Sequence, residues 1–170
     1  MTQDIVTNNQ FSYRVRQFTA ALHAQVTPAE LAEVAAQLSP AELGLFRAMA
    51  RYDQRHCFDV YGTLRGAGYQ DPLLLRAALI HDCGKCDDLG RPLALPWYVV
   101  ATVLKRFPAL YLFAARLFAP IRYYAEHAWR GAALVAAAGS PPEMVTTIRH
   151  YHDPQPAGPA ALLQWADEQH

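Results

Sequence analysis

The stretch DPLLLRAALIHDCGK, residues 71–85, joins a helical pattern to a group of chemically reactive side chains. Asp71 precedes Pro72, which is typical of a helix start, because an N-cap carboxylate accepts backbone N–H groups and proline suits the first turn. A mostly apolar run follows, and Gly84 is suited to a helix end. The stretch therefore predicts a helix that ends in a histidine, an aspartate, a lysine and a cysteine.

The same helix-start pattern recurs along the chain. Ser, Thr or Asp followed by Pro occurs at positions 27, 39, 71 and 140. Together with apolar residues at helical spacing, this pattern predicts several helices. Their predicted spans are 11–24, 27–38, 39–68, 71–84, 121–139, 140–152 and 158–169. No stretch alternates long enough for a strand, so we predict an all-α protein of about eight or nine helices.

Composition bounds the class of protein. The chain has 170 residues, of which 52% are apolar and 18% charged, and this balance is typical of one globular domain. A formal net charge of zero argues against a dedicated nucleic-acid binder. Three cysteines do not make a disulfide framework, and the N-terminus lacks the features of a secretory signal. These observations predict a cytoplasmic protein.

The segment 93–124 is unusually apolar. Its longest uncharged run, Leu93 to Leu104, is well short of the roughly 20 residues that a membrane span needs. We therefore predict buried helices here, with peripheral membrane contact as the alternative. The surrounding range 89–125 has no acidic residue but five basic ones, which are either snorkelling cations or a lid that attracts a phosphorylated substrate. These are Arg91, Lys105, Arg106, Arg116 and Arg122.

Histidines and aspartates fall within or at the ends of the predicted helices. A helical bundle can aim such side chains at one point, as bundle metal sites do. Imidazoles combined with carboxylates suit iron, manganese, zinc and similar divalent ions. The candidate metal ligands are His56, His81, Asp82, His127, His150, His152 and Asp167.

The order of these residues resembles the HD superfamily of metal-dependent phosphohydrolases, in its HDIG-like form. RHCFDVYGTLRGAGYQDPLLLRAALIHDCGK (55–85) resembles the first half of that family's domain. EHAWRGAALVAAAGSPPEMVTTIRHYHD (126–153) resembles the second half of members with two metals, and LLQWADE (162–168) resembles the closing helix. The resemblance covers roughly residues 43–169. It implies a single helical-bundle HD domain at 43–170, with residues 1–42 as an N-terminal helical extension of the same unit.

The resemblance also implies roles for individual residues. The first metal would be held by His56, His81, Asp82 and Asp167. A second metal would be held by His127 with one or both of His150 and His152, and Asp82 would bridge the two ions. Asp82 and Lys85 would be the catalytic residues, with Lys85 near the substrate phosphate or an acidic ligand. The cofactor would be one or two divalent ions of Fe, Mn, Zn, Co, Ni or Mg, and the substrate a nucleotide or another small phosphate ester.

Some positions depart from the family pattern. Two-metal members often carry adjacent histidines where Tyr151 separates His150 from His152; without a gap, Tyr151 matches the first of the pair. Residues two apart on a helix point to roughly opposite sides, so both histidines reach one ion only if the helix ends near Tyr151. Tyr52 stands where some relatives place a third metal's carboxylate, which argues against a third ion. The chain also lacks a Gly-Tyr-Pro segment, which argues against cyclic di-GMP as substrate.

Two other interpretations of the function stay open. The chain could be a non-catalytic HD module for signalling or ligand binding, with the apolar basic segment on a membrane surface. It could also carry out oxygen chemistry at a mixed-valent di-iron centre, as a few HD relatives do. The C-x-x-C of Cys83 and Cys86 would suit a redox pair or half a zinc site. However, a βαβ context is missing, and only Cys57 remains as a further sulfur ligand, so we interpret this spacing as coincidence.

Overall fold

The computed structural model describes residues 25–170, and the predicted helix at 11–24 lies outside that range. Ten helices form the described part, and residues 25–170 contain no strand beyond an isolated bridge between Cys86 and Pro92. The all-α prediction is therefore confirmed. The helices are α1 (Pro28–Gln37), α2 (Pro40–Ala48), α3 (Arg51–Gly66), α4 (Pro72–Ile80), α5 (Leu95–Leu104), α6 (Pro108–Leu117), α7 (Ala119–Ala125), α8 (His127–Ala137), α9 (Pro142–His150) and α10 (Pro159–Asp167).

Three of the four predicted helix starts are confirmed. The Thr27 and Ser39 side chains each accept a backbone N–H three residues on, and a glutamate at that position accepts the cap residue's own N–H. Asp71 accepts the N–H groups of Leu73 and Leu74. Such caps replace hydrogen bonds that the first turn of a helix cannot make internally.

The fourth predicted start is wrong. Helix α9 begins one residue later than the pattern suggests, with Pro141 in the N-cap position. The hydroxyl of Ser140 instead donates a hydrogen bond of 2.6 Å to the carboxylate of Glu42. A tertiary contact thus takes the side chain that a local cap would have used.

Two predicted long helices are each interrupted. The span 39–68 contains α2 and α3, because Met49 and Ala50 adopt extended backbone angles. Met49 is buried there, and the side-chain amide of Gln54 donates to its carbonyl at 2.8 Å, which replaces a lost helical bond. The span 121–139 breaks at Glu126, so that His127 opens α8. Helix α4 ends at Ile80, and a turn carries the chain to Gly84.

The helices build one main core and a smaller satellite. Helices α1–α4 and α8–α10 share the main core, in which α3 and α9 both pack against α4. Its fully buried side chains include Val34, Phe46, Leu64, Ile80, Ile148 and Leu163. Helices α5–α7 enclose a separate cluster around Ala101, Ala114 and Ile121. Residues 28–48 therefore contribute to the same core as the rest of the bundle.

The segment 93–124 forms helices as predicted, but the prediction that these helices are buried is wrong. Because the buried side chains of α5 and α6 are mostly alanines, the larger apolar residues remain outside the satellite core. Nine of them keep between 41% and 62% of their surface exposed. These are Val99, Val100, Val103, Phe107, Leu110, Leu112, Phe113, Leu117 and Phe118. Among residues 25–170, no helix is both long and apolar enough to cross a membrane.

One buried carboxylate connects three parts of the main core. Glu42 is fully buried on α2, where its Oε2 accepts the backbone N–H of Ser39 at 2.9 Å. Its Oε1 accepts hydrogen bonds of 2.6 Å from both Arg76 on α4 and Ser140 before α9. Burial by itself would raise the pKa of Glu42, but the bonds from Ser140 and Arg76 outweigh burial and lower it. Glu42 is therefore ionised at neutral pH.

We expect Glu42→Gln to lower the free energy of unfolding by about 1–3 kcal/mol at neutral pH, because a neutral amide weakens charged and neutral hydrogen bonds inside the core. A carboxyl whose pKa is lowered by folding adds stability above about pH 4.5, its ordinary value, and loses that contribution as the pH falls further. The difference from the unsubstituted protein should therefore shrink in acid. Urea unfolding across this pH range measures it, with the exposed Glu143→Gln as control. A pH-independent difference would contradict the assignment.

Candidate metal centre

Three helices bring four of the predicted metal ligands together. His56 lies in the middle of α3, and Asp167 is the last residue of α10. His81 caps the C-terminus of α4, and Asp82 follows it in the turn. Because α4 packs against both α3 and α10, the end of α4 lies between the other two ligands.

The distances within this group are short enough for one cation. The Nε2 atom of His56 lies 2.7 Å from Oδ1 of Asp167 and 3.7 Å from Oδ2 of Asp82. The Nε2 atom of His81 lies 3.5 Å from Asp167 Oδ1 and 3.7 Å from Asp82 Oδ1. One donor atom from each of His56, His81 and Asp82 lies within 4.8 Å of the others. These residues form a group that can hold a metal ion.

His81 gives the clearest sign of a ligand site. Its ring is fully buried, and its Nδ1 lies 2.9 Å from the carbonyl oxygen of Ala78. If Nδ1 carries the proton, it donates to that carbonyl and leaves the Nε2 lone pair free. Within the described residues, Nε2 is buried without a hydrogen-bond partner. Such an atom normally costs free energy, and a ligand role accounts for it.

A second group of side chains adjoins the first. His127 opens α8, and its Nδ1 lies 2.6 Å from the carbonyl oxygen of Tyr124, so its Nε2 faces the site. That Nε2 lies 3.4 Å from Oδ1 of Asp82 and 3.2 Å from Nε2 of His152. The Tyr151 hydroxyl is 2.8 Å from the same nitrogen and 3.4 Å from Asp82 Oδ1. Asp82 therefore lies between the two groups, where a bridging ligand would have to lie.

The structure does not bring His150 to the site. Helix α9 ends at His150, whose ring is exposed and whose Nδ1 lies 2.8 Å from the carboxylate of Asp153. The turn that follows points Tyr151 and His152 inward instead. Of the two histidines that the sequence left as candidates, only His152 joins the group. Tyr151 was not among the predicted site residues, although the ungapped match to the family had placed it at a ligand position.

Lys85 contacts acidic side chains. Its Nζ lies 2.5 Å from Oδ2 of Asp82 and 3.7 Å from Oδ1 of Asp53, and the rings of Tyr98 and Tyr124 lie 5.5 Å from it. Asp53 in turn accepts a hydrogen bond of 2.6 Å from the Tyr98 hydroxyl. Sequence reasoning missed Asp53, although its position three residues before His56 places it on the same side of α3. The second of the two predicted settings for Lys85, beside an acidic ligand, matches this geometry.

The surroundings fix the charges of the two carboxylates. Burial alone would raise the pKa of Asp82, but the charge of Lys85, the largest opposing influence, lowers it strongly. Asp167 follows the same pattern, with burial outweighed by its contacts to His56 and His81. Both carboxylates are therefore ionised at neutral pH, which is the form that binds metal ions.

In the second group, burial lowers the pKa values of the histidines. It lowers the pKa of His127 to about 3, with a further contribution from the charge of Lys85. It also lowers the pKa of His152 to about 4. Both rings are therefore neutral at pH 7, and a neutral imidazole nitrogen can bind a metal ion or accept a hydrogen bond.

The carboxyl group of Asp53 beside Lys85 behaves differently, because burial raises its pKa to about 6.

The cysteines take no part in these groups. All three are free and buried, and the Sγ of Cys83 lies against the carbonyl oxygen of Gly131 on α8. Cys57 lies 3.6 Å from the Nδ1 atom of His81, on the side of the ring away from the carboxylates. The C-x-x-C spacing therefore forms no disulfide.

Comparison with known proteins leaves the functional assignment to the residues of this chain. No family model, no curated protein and no solved structure matches it. The geometry of the His/Asp group is therefore the observation from which a function is inferred.

Gly84 controls how closely the two halves of the site approach. A Cβ atom at this position would lie 2.0 Å from the carbonyl oxygen of His127 and 2.4 Å from the backbone nitrogen of Gly131. Its backbone φ is not positive, so the requirement for glycine is one of space. The turn after α4 thus packs directly on the first turns of α8, which keeps Asp82 beside His127.

We expect Gly84→Ala to destabilise the protein by about 3 kcal/mol, because the added methyl group would force two backbone segments apart. Gly62→Ala is the matched control. Gly62 lies within α3, and none of the described residues has an atom within 4 Å of its missing Cβ, so alanine there should stabilise the helix by about 0.5–1 kcal/mol. Urea unfolding measures both changes. Equal stability of the two variants would show that α8 does not pack against Gly84.

Proposed function

We propose that this chain is a metal-dependent phosphohydrolase that acts on a nucleotide or another small phosphate ester. The observation that carries the proposal is the convergence of two imidazoles on two ionised carboxylates: His81 Nε2 lies 3.5 Å from Asp167 and 3.7 Å from Asp82, and His56 Nε2 lies 2.7 Å from Asp167. Imidazoles and carboxylates gathered this closely suit a divalent cation. The order of ligands along the chain, which resembles the HD superfamily, supplies the reaction class.

The ligands for one ion would be His56, His81, Asp82 and Asp167. Two imidazoles and two carboxylates suit Mn, Fe, Zn or a similar divalent ion. When bound, such an ion neutralises charge on a phosphate and makes a water molecule more acidic. The remaining residues have roles that follow from their own contacts.

Lys85 acts on Asp82 as a positioning residue. Its Nζ contacts Asp82 Oδ2 and holds that carboxylate in its ionised form, while Asp53 helps to hold the ammonium group in place. Because the Lys85 side chain is almost wholly buried, its charge acts with little screening by solvent. We infer that this ion pair keeps Oδ2 of Asp82 beside Lys85 and Oδ1 beside the imidazoles of His81 and His127.

His127 and His152 can position a water molecule beside Asp82. Both are neutral, and their Nε2 atoms lie 3.2 Å apart. Their low pKa values make both rings weak bases, so we infer that they accept hydrogen bonds and do not carry away the proton of the attacking water. This function does not require either ring to hold a metal.

We infer a single ion, bound by the first group. The Tyr151 hydroxyl is within hydrogen-bond distance of His127 Nε2 and close to Asp82 Oδ1, the two atoms that a second ion would have to bind. A neutral phenol is a poor ligand compared with imidazole, and burial raises the pKa of Tyr151 further. The protein therefore keeps the first site and closes the second.

We expect one equivalent of Mn or Fe per chain, measured by elemental analysis after loading and desalting. Tyr151→His restores a pair of adjacent histidines and should raise the count toward two equivalents, because an imidazole can replace the phenol as a ligand. Tyr151→Phe is the control, since it removes the hydroxyl without adding a ligand, and it should stay at one. Two equivalents in the unsubstituted protein would contradict the single-ion inference.

We expect metal-dependent release of phosphate from at least one member of a panel of nucleotides and phosphate esters. Asp82→Asn should reduce the rate by more than about 100-fold, because it removes a charged ligand between the two groups. Asp153→Asn is the matched control, because this exposed carboxylate contacts only the exposed His150. No turnover with any substrate and metal would contradict the proposal and favour a non-catalytic module.

A further inference from the structure

Helix α5 presents an apolar stripe to solvent. Val99, Val100 and Val103 lie on one side of it at spacings of one and four residues, and all three are exposed. The opposite side carries Tyr98 and Ala101, which are buried in the satellite clusters. An amphipathic helix normally turns its polar side outward. Here the exposed side is as apolar as the buried one.

Helix α6 has the same property. Leu110, Phe113 and Leu117 recur at spacings of three and four residues and are exposed, while Ala114 between them is buried. Phe107 and Phe118 flank the helix and are exposed as well. The exposed apolar residues of 99–118 are called the α5–α6 face below. So many exposed large apolar side chains within one segment are typical of an interaction surface.

Cations accompany the α5–α6 face. Lys105 and Arg106 follow α5, Arg116 lies in the last turn of α6, and all three are exposed. The range 89–125 contains no acidic residue, in a chain whose formal net charge is zero. The partner of this face must therefore combine an apolar interior with negative charge at its boundary.

We propose that the α5–α6 face binds the surface of an anionic lipid membrane. Protein segments that lie in the plane of a membrane interface place aliphatic and aromatic residues among the acyl chains and Lys or Arg at the headgroups. The α5–α6 face supplies both sets of residues on two helices of ten residues each. This inference does not depend on the proposed hydrolysis, because the face contains no residue of the metal centre.

Other possible partners match the positive charge of the α5–α6 face less well. A second copy of this chain would place the face against an identical one that carries Arg106 and Arg116 and has no acidic residue within 89–125 to pair with them. Residues 1–24 contain one aspartate and two arginines, so that segment offers no excess negative charge. Nucleic acid would match the cations but not the large apolar residues, since its interfaces are polar.

Vesicle sedimentation with the full-length protein tests the proposal. We expect binding to vesicles of phosphatidylcholine that contain phosphatidylserine, with weaker binding at high salt and little binding to pure phosphatidylcholine. Arg106→Ala with Arg116→Ala should weaken binding about 25-fold, because each cation near an anionic surface contributes about five-fold. Val103→Glu with Phe113→Glu should abolish binding, because it places charge among the acyl chains.

Trp129→Glu is the matched control. Trp129 is an exposed aromatic residue on α8 that lies against Arg149 of α9, away from α5 and α6. This variant should bind vesicles like the unsubstituted protein. The thermal unfolding of each variant is compared to exclude misfolding. Failure of the full-length protein to bind anionic vesicles would overturn the proposal, as would retained binding by Val103→Glu with Phe113→Glu.

Discussion

The fold is organised around a carboxylate that must be ionised without access to water. Asp82 is almost completely buried, and an isolated carboxylate in such a place would be strongly unfavourable. Its charge is tolerated chiefly because Lys85 contacts Oδ2, while the Nε2 atoms of His81 and His127 lie near Oδ1, where a bound cation would add to the compensation. These partners come from the turn after α4 and from the start of α8. The arrangement of the helices and the charge of Asp82 therefore support each other.

This constraint explains why the region around Asp82 is so closely packed. Gly84 lies two residues after Asp82, and a methyl group there would collide with the backbone of α8. Any separation of the two segments would withdraw His127 from Asp82 and let water reach the carboxylate. The close backbone contact, the buried ion pair and the neutral imidazoles are therefore connected features of one buried, charged site. A bound cation would add to the compensating charge without requiring a different fold.

Short-range sequence patterns predicted most of the helix starts, and tertiary contacts explain the predictions of helix boundaries that were wrong. Thr27, Ser39 and Asp71 act as helix caps because their bonding partners lie within three residues. Ser140 has the same local pattern, yet its hydroxyl binds Glu42, which lies 98 residues away. The break at Met49 was equally hidden, because neither Gly nor Pro marks it and its lost helical bond is replaced by Gln54. Local sequence gives no signal for either contact.

In the candidate site too, some features were predictable from the sequence and others depended on the tertiary structure. The order of His56, His81, Asp82 and Asp167 along the chain predicted a group that the structure does bring together, because each lies at or near a position that a helix fixes. The choice between His150 and His152 depended instead on where α9 ends, and spacing alone does not determine a helix end to one residue. The prediction that the segment 93–124 is buried failed for a different reason, because hydrophobicity alone does not distinguish a core helix from an exposed apolar one.

The satellite of α5–α7 is connected to the candidate site by specific polar contacts. The Tyr98 hydroxyl on α5 binds Asp53, which faces Lys85, and the Tyr124 carbonyl on α7 lies at hydrogen-bond distance from the His127 ring. The hydroxyl of Tyr52 on α3 also donates to the carbonyl of Leu93, just before α5. If lipid contact shifted α5 or α7, the shift would reach Lys85 and His127 directly. These contacts therefore tie the position of the satellite to the charged groups around Asp82.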